Sequence, residues 1–254
     1  MAVILEGGCR VSGMREGEPL KKGTLRIWKQ IGRSTGAQAI SLRIMELASG
    51  LSPAIRNDVC DEILFVLDDR NSSGRVKLFI NQCSFEVGVD SGIYIRPGET
   101  FAFHNPGPEP VTIISSRCPD PDREPEFVET PRSATPVNEP RIVSLADRPA
   151  QPTADRWYRV LVDDGVGSKQ VTQFVGSIPP GRAPDHFHQY EEVLFILKGQ
   201  GRMWAGESNT PIGPGSCIYL PKAQIHCVEN IGASELRLLG VFYPAGSPSV
   251  RYDV

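Results

Sequence analysis

The sequence lacks an apolar run of 18 residues and has no surplus of basic residues, since 27 Lys and Arg stand against 30 Asp and Glu for a net charge of −3. A membrane-spanning helix needs such a run, so none is expected. Nucleic-acid-binding surfaces need clustered Lys and Arg, so this charge balance argues against that partner. The N-terminus has a short apolar start without a basic segment, which is not typical of a signal peptide. We expect a cytoplasmic protein that binds neither membranes nor nucleic acids.

Cysteine is sparse and irregularly placed. The six cysteines form no CxxC pair and lie at positions 9, 60, 83, 118, 217 and 227. This spacing predicts no disulfide framework. Free cysteine behaves as a small buried hydrophobe, so we expect reduced thiols in or near the cores.

Long amphipathic helical patterns are also missing. Short runs rich in β-branched and aromatic residues recur instead, and 25 Gly and 22 Pro supply turns between them. Many short strands at close spacing are typical of a β-sandwich or a β-barrel. The sequence therefore predicts an all-β fold.

The two halves of the chain repeat one another. Residues 61–67 read DEILFVL, and residues 191–197 read EEVLFIL. A Gly-x-x-Pro stretch precedes each copy, at 50–53 and 181–184, and an Ile-Tyr dipeptide shortly before a proline follows each copy. The shared order of three landmarks indicates an internal duplication of one β fold.

A proline-rich segment separates the two copies. Residues 119–152 hold eight prolines, and residues 120–139 hold six acidic and two basic residues. Proline cannot donate to a strand ladder, so this segment is interpreted as a linker or an extended strap. The predicted division is an N-terminal barrel over 1–118, the linker over 119–152 and a C-terminal barrel over 153–254.

Three of the four histidines fall into one pattern with a glutamate. His186 and His188 are two residues apart, so on a strand both imidazoles point to the same face. Glu192 lies four residues farther on, and its even separation keeps it on that face, although a small bulge would re-aim it. His226 must come from another strand. Three imidazoles and one carboxylate form a ligand set for a divalent first-row metal.

These two segments resemble the cupin superfamily. The first matches a motif of Gly, HxH, three residues, Glu, six residues and Gly. The second matches a motif of Gly, five residues, Pro, four residues, His, three residues and Asn. Gly181 lies one residue closer to the first histidine than usual, and Ala223 stands where the family often has glycine.

The resemblance implies an all-β fold of two tandem cupin barrels, each a double-stranded β-helix or jelly roll, as in bicupins. It also implies one divalent ion, which would be Fe, Mn, Ni, Zn or Cu, bound by His186, His188, Glu192 and His226 of the C-terminal barrel. A homodimer is a further expectation, since cupins often associate through strand edges.

The N-terminal copy retains only the glutamate of this ligand set. Aligning Glu62 with Glu192 places Arg56 and Asp58 where His186 and His188 stand, and aligning the prolines at 97 and 221 places Ala102 at the position of His226. An arginine in place of a ligand would repel a cation. We expect this barrel to hold no metal and to serve as a scaffold, a dimerisation surface or part of the entrance to the other site.

The alternation of side chains along a strand gives further candidates for substrate contacts. Arg202 and Trp204 share one face of a strand, so if that face is inward, Arg202 could clamp a carboxylate and Trp204 could form an apolar wall. The outward orientation is equally open. Gln173, Tyr190 and Tyr219 are further pocket candidates by parity alone.

The expected function is a metal-dependent enzyme acting on a small organic molecule, with oxygenase or other oxidoreductase chemistry first. Isomerase, lyase and decarboxylase reactions remain alternatives, because the fold alone cannot choose between them. A non-catalytic cupin that binds a sugar or a carboxylate is the second hypothesis. A storage-type structural role is the third.

Overall fold

The computed structural model describes residues 1–57, 59–67, 75–81, 83–128, 141–250 and 252–253. Strands dominate this part of the chain, and its helical segments are short 3-10 turns at Glu6–Gly8, Arg33–Thr35, Leu145–Asp147 and Asp164–Val166. The predicted all-β class is confirmed. Within the described ranges, no helix is long and apolar enough to cross a membrane.

The strands of the first half are β1 (Val3–Ile4), β2 (Arg10–Gly13), β3 (Leu20–Lys22), β4 (Leu25–Ile31), β5 (Leu42–Leu47), β6 (Gly50–Leu51), β7 (Ala54–Asn57), β8 (Asp61–Val66), β9 (Val76–Ile80), β10 (Cys83–Val87), β11 (Ser91–Ile95), β12 (Glu99–Asn105), β13 (Val111–Cys118), β14 (Glu126–Val128) and β15 (Ile142–Ser144). Those of the second half are β16 (Gln151–Thr153), β17 (Arg156–Val162), β18 (Thr172–Ile178), β19 (Gly181–Arg182), β20 (His186–Phe187), β21 (Glu191–Lys198), β22 (Gly201–Ala205), β23 (Ser208–Ile212), β24 (Ser216–Leu220), β25 (His226–Asn230), β26 (Leu236–Tyr243) and β27 (Tyr252–Asp253).

These strands form two barrels of two sheets each, with antiparallel pairing. The first barrel has the orders β15-β11-β8-β13-β5-β4-β3 and β10-β9-β12-β7-β14, with β6 on β12. The second has the orders β1-β2-β24-β21-β26-β18-β17-β16 and β23-β22-β25-β20-β27, with β19 on β25. From β4 to β13 and from β17 to β26, the strands correspond one to one, which is the duplication that the sequence indicates.

Three hydrophobic clusters explain the apolar runs. One fills each barrel, as Leu64 does in the first and Leu194 in the second. The third lies between the barrels and contains Ile63, Phe65 and Val193. Strands β8 and β21 are therefore buried on both faces, so they read as continuous hydrophobic runs rather than as alternating patterns.

Strand pairing crosses the sequence-based division of the chain. Strands β1 and β2 belong to the second barrel, where β2 covers the edge of β24, and β15 covers the matching edge of β11 in the first. Strand β14, also inside the predicted linker, pairs with β7. These segments join the sheets because an uncovered edge leaves backbone donors and acceptors unpaired. The middle of the linker, residues 129–140, lies outside the described residues.

All six cysteines are free, and all but Cys83 are buried. Burial raises the pKa of Cys60 and Cys227 to about 11, so these thiols are protonated at neutral pH. They act as core residues, as the irregular spacing predicts.

Candidate metal centre

Strand pairing brings three of the predicted residues together inside the second barrel. His186 on β20 lies directly opposite His226 on β25, so the two side chains share a face. His188 follows two residues later on the same side. Ring nitrogens of the three histidines all lie within 4.8 Å of one another, and the ring centroids are 4.6–5.2 Å apart. Their spacing is close enough for one ion to contact all three.

Hydrogen bonds to the backbone set the tautomer of each ring. The Nδ1 atoms face carbonyl oxygens, at 3.0 Å from His186 to Pro184, 3.1 Å from His188 to Val250 and 2.8 Å from His226 to Gln224. A carbonyl oxygen only accepts, so Nδ1 must carry the proton and Nε2 the lone pair. This is the arrangement by which proteins orient histidine ligands.

Burial keeps His188, His226 and Glu192 uncharged in the absence of a cation. Desolvation, with repulsion from His186, lowers the pKa of His188 to about 4 and that of His226 to about 3. Glu192 is 4% exposed, and burial raises its pKa to about 8. Its Oε2 lies 3.7 Å from His188 Nε2, too far for a hydrogen bond. Two neutral imidazoles beside a carboxyl group that can ionise near a cation suit a divalent metal.

The first barrel shows that the fold does not require these side chains. Ile55 pairs with Phe101 as His186 pairs with His226. The amide of Gly98 donates to the backbone carbonyl of Asn57 at 2.7 Å. In the second barrel the amide of Ala223 donates to the backbone carbonyl of His188 at the same distance. The three histidine positions of the first barrel therefore hold Ile55, Asn57 and Phe101.

This register corrects the gap-free alignment, which placed Arg56, Asp58 and Ala102 at those positions. The first barrel has one more residue between β7 and β8 than the second has between His188 and β21. The extra residue shifted the assignments at 56 and 58 by one, and matching Pro97 with Pro221 shifted the assignment at 102 by one. A shift of one turns a strand residue to the opposite face. Arg56 is exposed, and Asp58 lies outside the described residues.

The positive charge beside the retained glutamate comes from another strand. Arg43 on β5 is 2% exposed, and its Nη2 lies 2.6 Å from Glu62 Oε1. Ser115 donates to the same oxygen at 2.7 Å. In the second barrel, Phe174 and Gly240 take the places of Arg43 and Ser115 in the same ladder. An internal ion pair thus holds the glutamate of the first barrel, whereas the glutamate of the second barrel lies beside the histidine cluster.

A cavity of about 120 Å³ opens at the histidine cluster. That is small beside the ~300–1,000 Å³ of drug-sized ligand sites. The histidines and Glu192 form its polar end, and Arg156 is the cationic side chain along the described wall. The remaining lining residues are Thr153, Trp157, Tyr158, Phe174, Gly176, Ser177, Ile178, Ala183, Leu194, Val228, Leu238, Pro248 and Ser249.

The inward orientation considered for Arg202 and Trp204 is wrong. Met203 and Ala205 on the same strand are buried in the core of the barrel, so their neighbours face outward. Arg202 is exposed and bonds Asn209 at 2.8 Å. Trp204 donates to Glu229 on the outer surface.

Gln173 and Tyr219 also point away from the cavity. Gln173 donates to the Leu64 carbonyl of the first barrel at 3.4 Å, and Tyr219 donates to Glu191 at 2.5 Å. Both lie at the interface between the barrels, on the opposite face from the cavity. Tyr190 does reach the site, because its ring stacks on His188 with centroids 4.7 Å apart. The Tyr190 ring packs against one face of the His188 imidazole.

The sequence-based predictions did not include two groups of residues that line the cavity. Arg156 lies at the first residue of β17, outside any motif. Pro248 and Ser249 belong to the C-terminal segment, which also supplies the Val250 carbonyl to His188. Strand parity could have found Phe174 by choosing the other face of β18. No pattern in the sequence marks the C-terminal segment.

Replacing Glu192 with glutamine is expected to stabilise the metal-free protein at high pH. The pKa of Glu192 is about 8 in the folded protein, against 4.5 for a free glutamate. Ionisation of this group therefore costs no folding stability below pH 4.5, and the cost grows with pH until it is complete above pH 8. Glutamine removes this cost, so the gain should be below about 1 kcal/mol at pH 5 and on the order of 4 kcal/mol at pH 8. Urea unfolding in the presence of a chelator measures it. An equal gain at both pH values would contradict the titration argument.

The comparisons with known proteins agree with this geometry. Residues 174–242 match the family model described as a cupin domain. The second half of the chain contains a cupin domain. The matched range runs from within β18 to within β26 and contains Glu192 and the three clustered histidines.

Curated relatives match over a shorter stretch. Auxin-binding protein 1 of Arabidopsis thaliana is 32% identical over 83 residues, which are 29% of this chain and 42% of that protein. Auxin-binding protein T92 of Nicotiana tabacum is 33% identical over 99 residues, 34% of this chain and 53% of that protein. The chain thus covers about half the length of these relatives.

Solved structures match over nearly the whole chain. A point mutant of Bacillus subtilis oxalate decarboxylase OxdC superposes with a TM-score of 0.74 at 14% identity, covering 96% of this chain and 79% of that one. A deletion mutant of the same enzyme gives 0.74 at 15% identity, covering 92% of this chain and 76% of that one. The fold is that of two tandem cupin barrels.

Proposed function

We propose that the second cupin barrel is a metal-dependent enzyme centre for a small organic molecule, with one divalent ion bound by His186, His188, Glu192 and His226. The observation that carries this proposal is the close approach of three imidazoles, each bonded to a backbone carbonyl at Nδ1, which leaves Nε2 to bind an ion. When bound, the ion would act as a Lewis acid or as the place where dioxygen and substrate meet. Its identity among Fe, Mn, Ni, Zn and Cu is left to measurement.

The residues around the ion have separate roles in this proposal. Glu192 supplies the negative charge that offsets part of the charge of the cation. Tyr190 holds His188 in place by stacking. The apolar wall of the cavity, which includes Phe174 and Leu194, excludes water and favours a compact substrate. A first-row metal with three imidazoles and one carboxylate suits oxygenase or other oxidoreductase chemistry, which we take as the first reaction class.

Two alternatives remain. Decarboxylation, with isomerase or lyase chemistry, is compatible with the fold shared with oxalate decarboxylase OxdC. The partial similarity to auxin-binding proteins favours a non-catalytic cupin that binds a sugar or a carboxylate. An enzyme should convert a substrate, whereas a binding protein should retain its ligand unchanged.

The test measures metal content and turnover together. Protein purified without added metal is analysed by mass spectrometry for bound ions and screened, with each metal restored, against acids, sugars and phenols with and without dioxygen. About one ion per chain with metal-dependent product formation supports the enzyme. Tight ligand binding without product supports the binding protein. A chain that takes up no metal overturns both the site and the enzyme.

Arg156 is expected to favour anionic ligands in this cavity. Its ion pair with Asp155 is at the surface, where such pairs are weak, so the guanidinium can also attract a carboxylate. Arg156→Gln should weaken binding of acetate, malonate or benzoate by roughly tenfold or more, and binding of the matching amides by little. Calorimetry on metal-loaded protein measures both. Arg159→Gln, on the same strand but bonded to the Leu145 carbonyl, is the control. Equal losses for acids and amides would contradict this role.

The assembly and location of the protein stay predictions. A homodimer in the cytoplasm is expected, and light scattering coupled to size exclusion measures the mass in solution. A monomer at high concentration would refute the dimer.

A further inference from the structure

The carboxylate next to Glu192 points out of its own barrel and into the other one. Glu191 is buried at the interface, 8% exposed. Its Oε1 accepts from the Gln38 amide at 2.8 Å and from the Tyr219 hydroxyl at 2.5 Å, and its Oε2 accepts from the Ala39 amide at 2.6 Å. Two of the three donors are backbone groups of the first barrel. Bonds from a charged acceptor to such fixed donors are strong and directional.

This contact lies at the first residue of the strand that carries Glu192. Strand β21 begins at Glu191, and successive side chains of a strand point to opposite faces. Anchoring Glu191 on the interface side therefore fixes the backbone from which the Glu192 side chain projects into the cavity. Glu192 itself makes no hydrogen bond among those described, so its position depends on that backbone and on packing.

We propose that Glu191 is a positioning residue, through which the loop at 36–39 of the first barrel holds Glu192 at the metal site of the second. The inference rests on the proposed metal site and gives the first barrel a role in it. Groups that hydrogen-bond a metal ligand directly typically contribute about 10–100-fold to metal affinity, and Glu191 acts through the backbone of the adjacent residue, so an effect near the lower end, about tenfold, is expected.

The duplication supplies a matched control on the other side of the interface. Asp61 begins β8 as Glu191 begins β21, and it accepts from the Tyr94 hydroxyl at 2.8 Å and from Gln170 at 3.4 Å. It precedes Glu62, which is paired with Arg43 and lies in the barrel where Ile55, Asn57 and Phe101 replace the histidines. Removing its charge disturbs the same interface without disturbing a metal site.

The experiment compares Glu191→Gln with Asp61→Asn in the full chain. Each change replaces a carboxylate with its amide, which keeps the shape and loses one acceptor. Glu191→Gln should weaken Co(II) binding by about tenfold and alter the visible absorption spectrum of the bound ion, since the spectrum follows the ligand geometry. Asp61→Asn should leave the affinity within about twofold and the spectrum unchanged. Thermal unfolding of both metal-free variants reports their structural cost.

A second pair of substitutions, which each remove a single hydroxyl group, keeps the test valid if Glu191→Gln fails to fold. Tyr219→Phe removes one donor to Glu191, and Tyr94→Phe removes its counterpart to Asp61. The first should weaken Co(II) binding by about threefold to tenfold and the second should not. If Glu191→Gln and Tyr219→Phe bind Co(II) like the unchanged protein, the positioning role is wrong while the metal site stands. Equal losses of Co(II) affinity in Glu191→Gln and Asp61→Asn would contradict the positioning role and show general destabilisation of the interface instead. If the unchanged protein binds no Co(II), the metal site fails and the positioning role fails with it.

Discussion

Replacing His188 with alanine is expected to lower metal affinity by about 10²–10³-fold and to remove turnover. Structural zinc sites with four ligands bind with roughly 10–16 kcal/mol, so one ligand contributes about 2.5–4 kcal/mol. His188 also carries the bond to the Val250 carbonyl and the stack with Tyr190, so its loss frees both neighbours. Isothermal titration with Zn(II), together with metal analysis of the purified protein, measures the effect.

The matched control is the fourth histidine of the chain. His104→Ala removes an imidazole on β12 of the first barrel, where it pairs with Leu51 and Lys77 and lies far in sequence from the cluster. It should leave one ion bound per chain. A His188→Ala variant that kept a full equivalent of metal with unchanged affinity would contradict the assignment of this histidine as a ligand.

Much of this site was predictable because its spacing follows the geometry of a strand. In extended backbone, the two-residue interval between His186 and His188 puts both side chains on one face. The even interval to Glu192 keeps its side chain on the same face, although a turn separates β20 from β21. The duplication was equally visible, since β8 and β21 are buried on both faces and so keep long apolar runs. These features depend on local periodicity, which the sequence carries directly.

The remaining features depend on pairing between distant strands. One extra residue before β8 shifted the alignment of the first barrel by one, and that shift exchanged Ile55 for Arg56 at a ligand position. Sequence parity alone does not decide whether Arg202 and Trp204 face inward or outward. The burial of Met203 in the core decides it, because its strand neighbours must then face outward. The pairing of β2 with the second barrel, and of β15 from the predicted linker with the first, is a long-range choice that leaves no local pattern.

The second large effect is expected in the first barrel, from replacing Arg43 with methionine. This change leaves Glu62 without its cationic partner at a site where the carboxylate is fully buried. Breaking one side of a buried ion pair typically costs about 3–5 kcal/mol, because the remaining charge is neither solvated nor compensated. Urea unfolding of the metal-free protein should show that loss of stability at pH 7.

The double variant Arg43→Met with Glu62→Gln separates the charge from the packing. Removing both charges should recover most of the stability, to within about 1 kcal/mol of the unchanged protein, because a buried pair often contributes little beyond an apolar replacement of similar volume. Little recovery would mean that Arg43 acts mainly through packing and its bond to Ser115. A loss below about 1 kcal/mol in the single variant would contradict the ion pair itself. With the expected result, the two barrels present two ways to compensate one buried glutamate: an arginine beside Glu62 and, in our proposal, a metal ion beside Glu192.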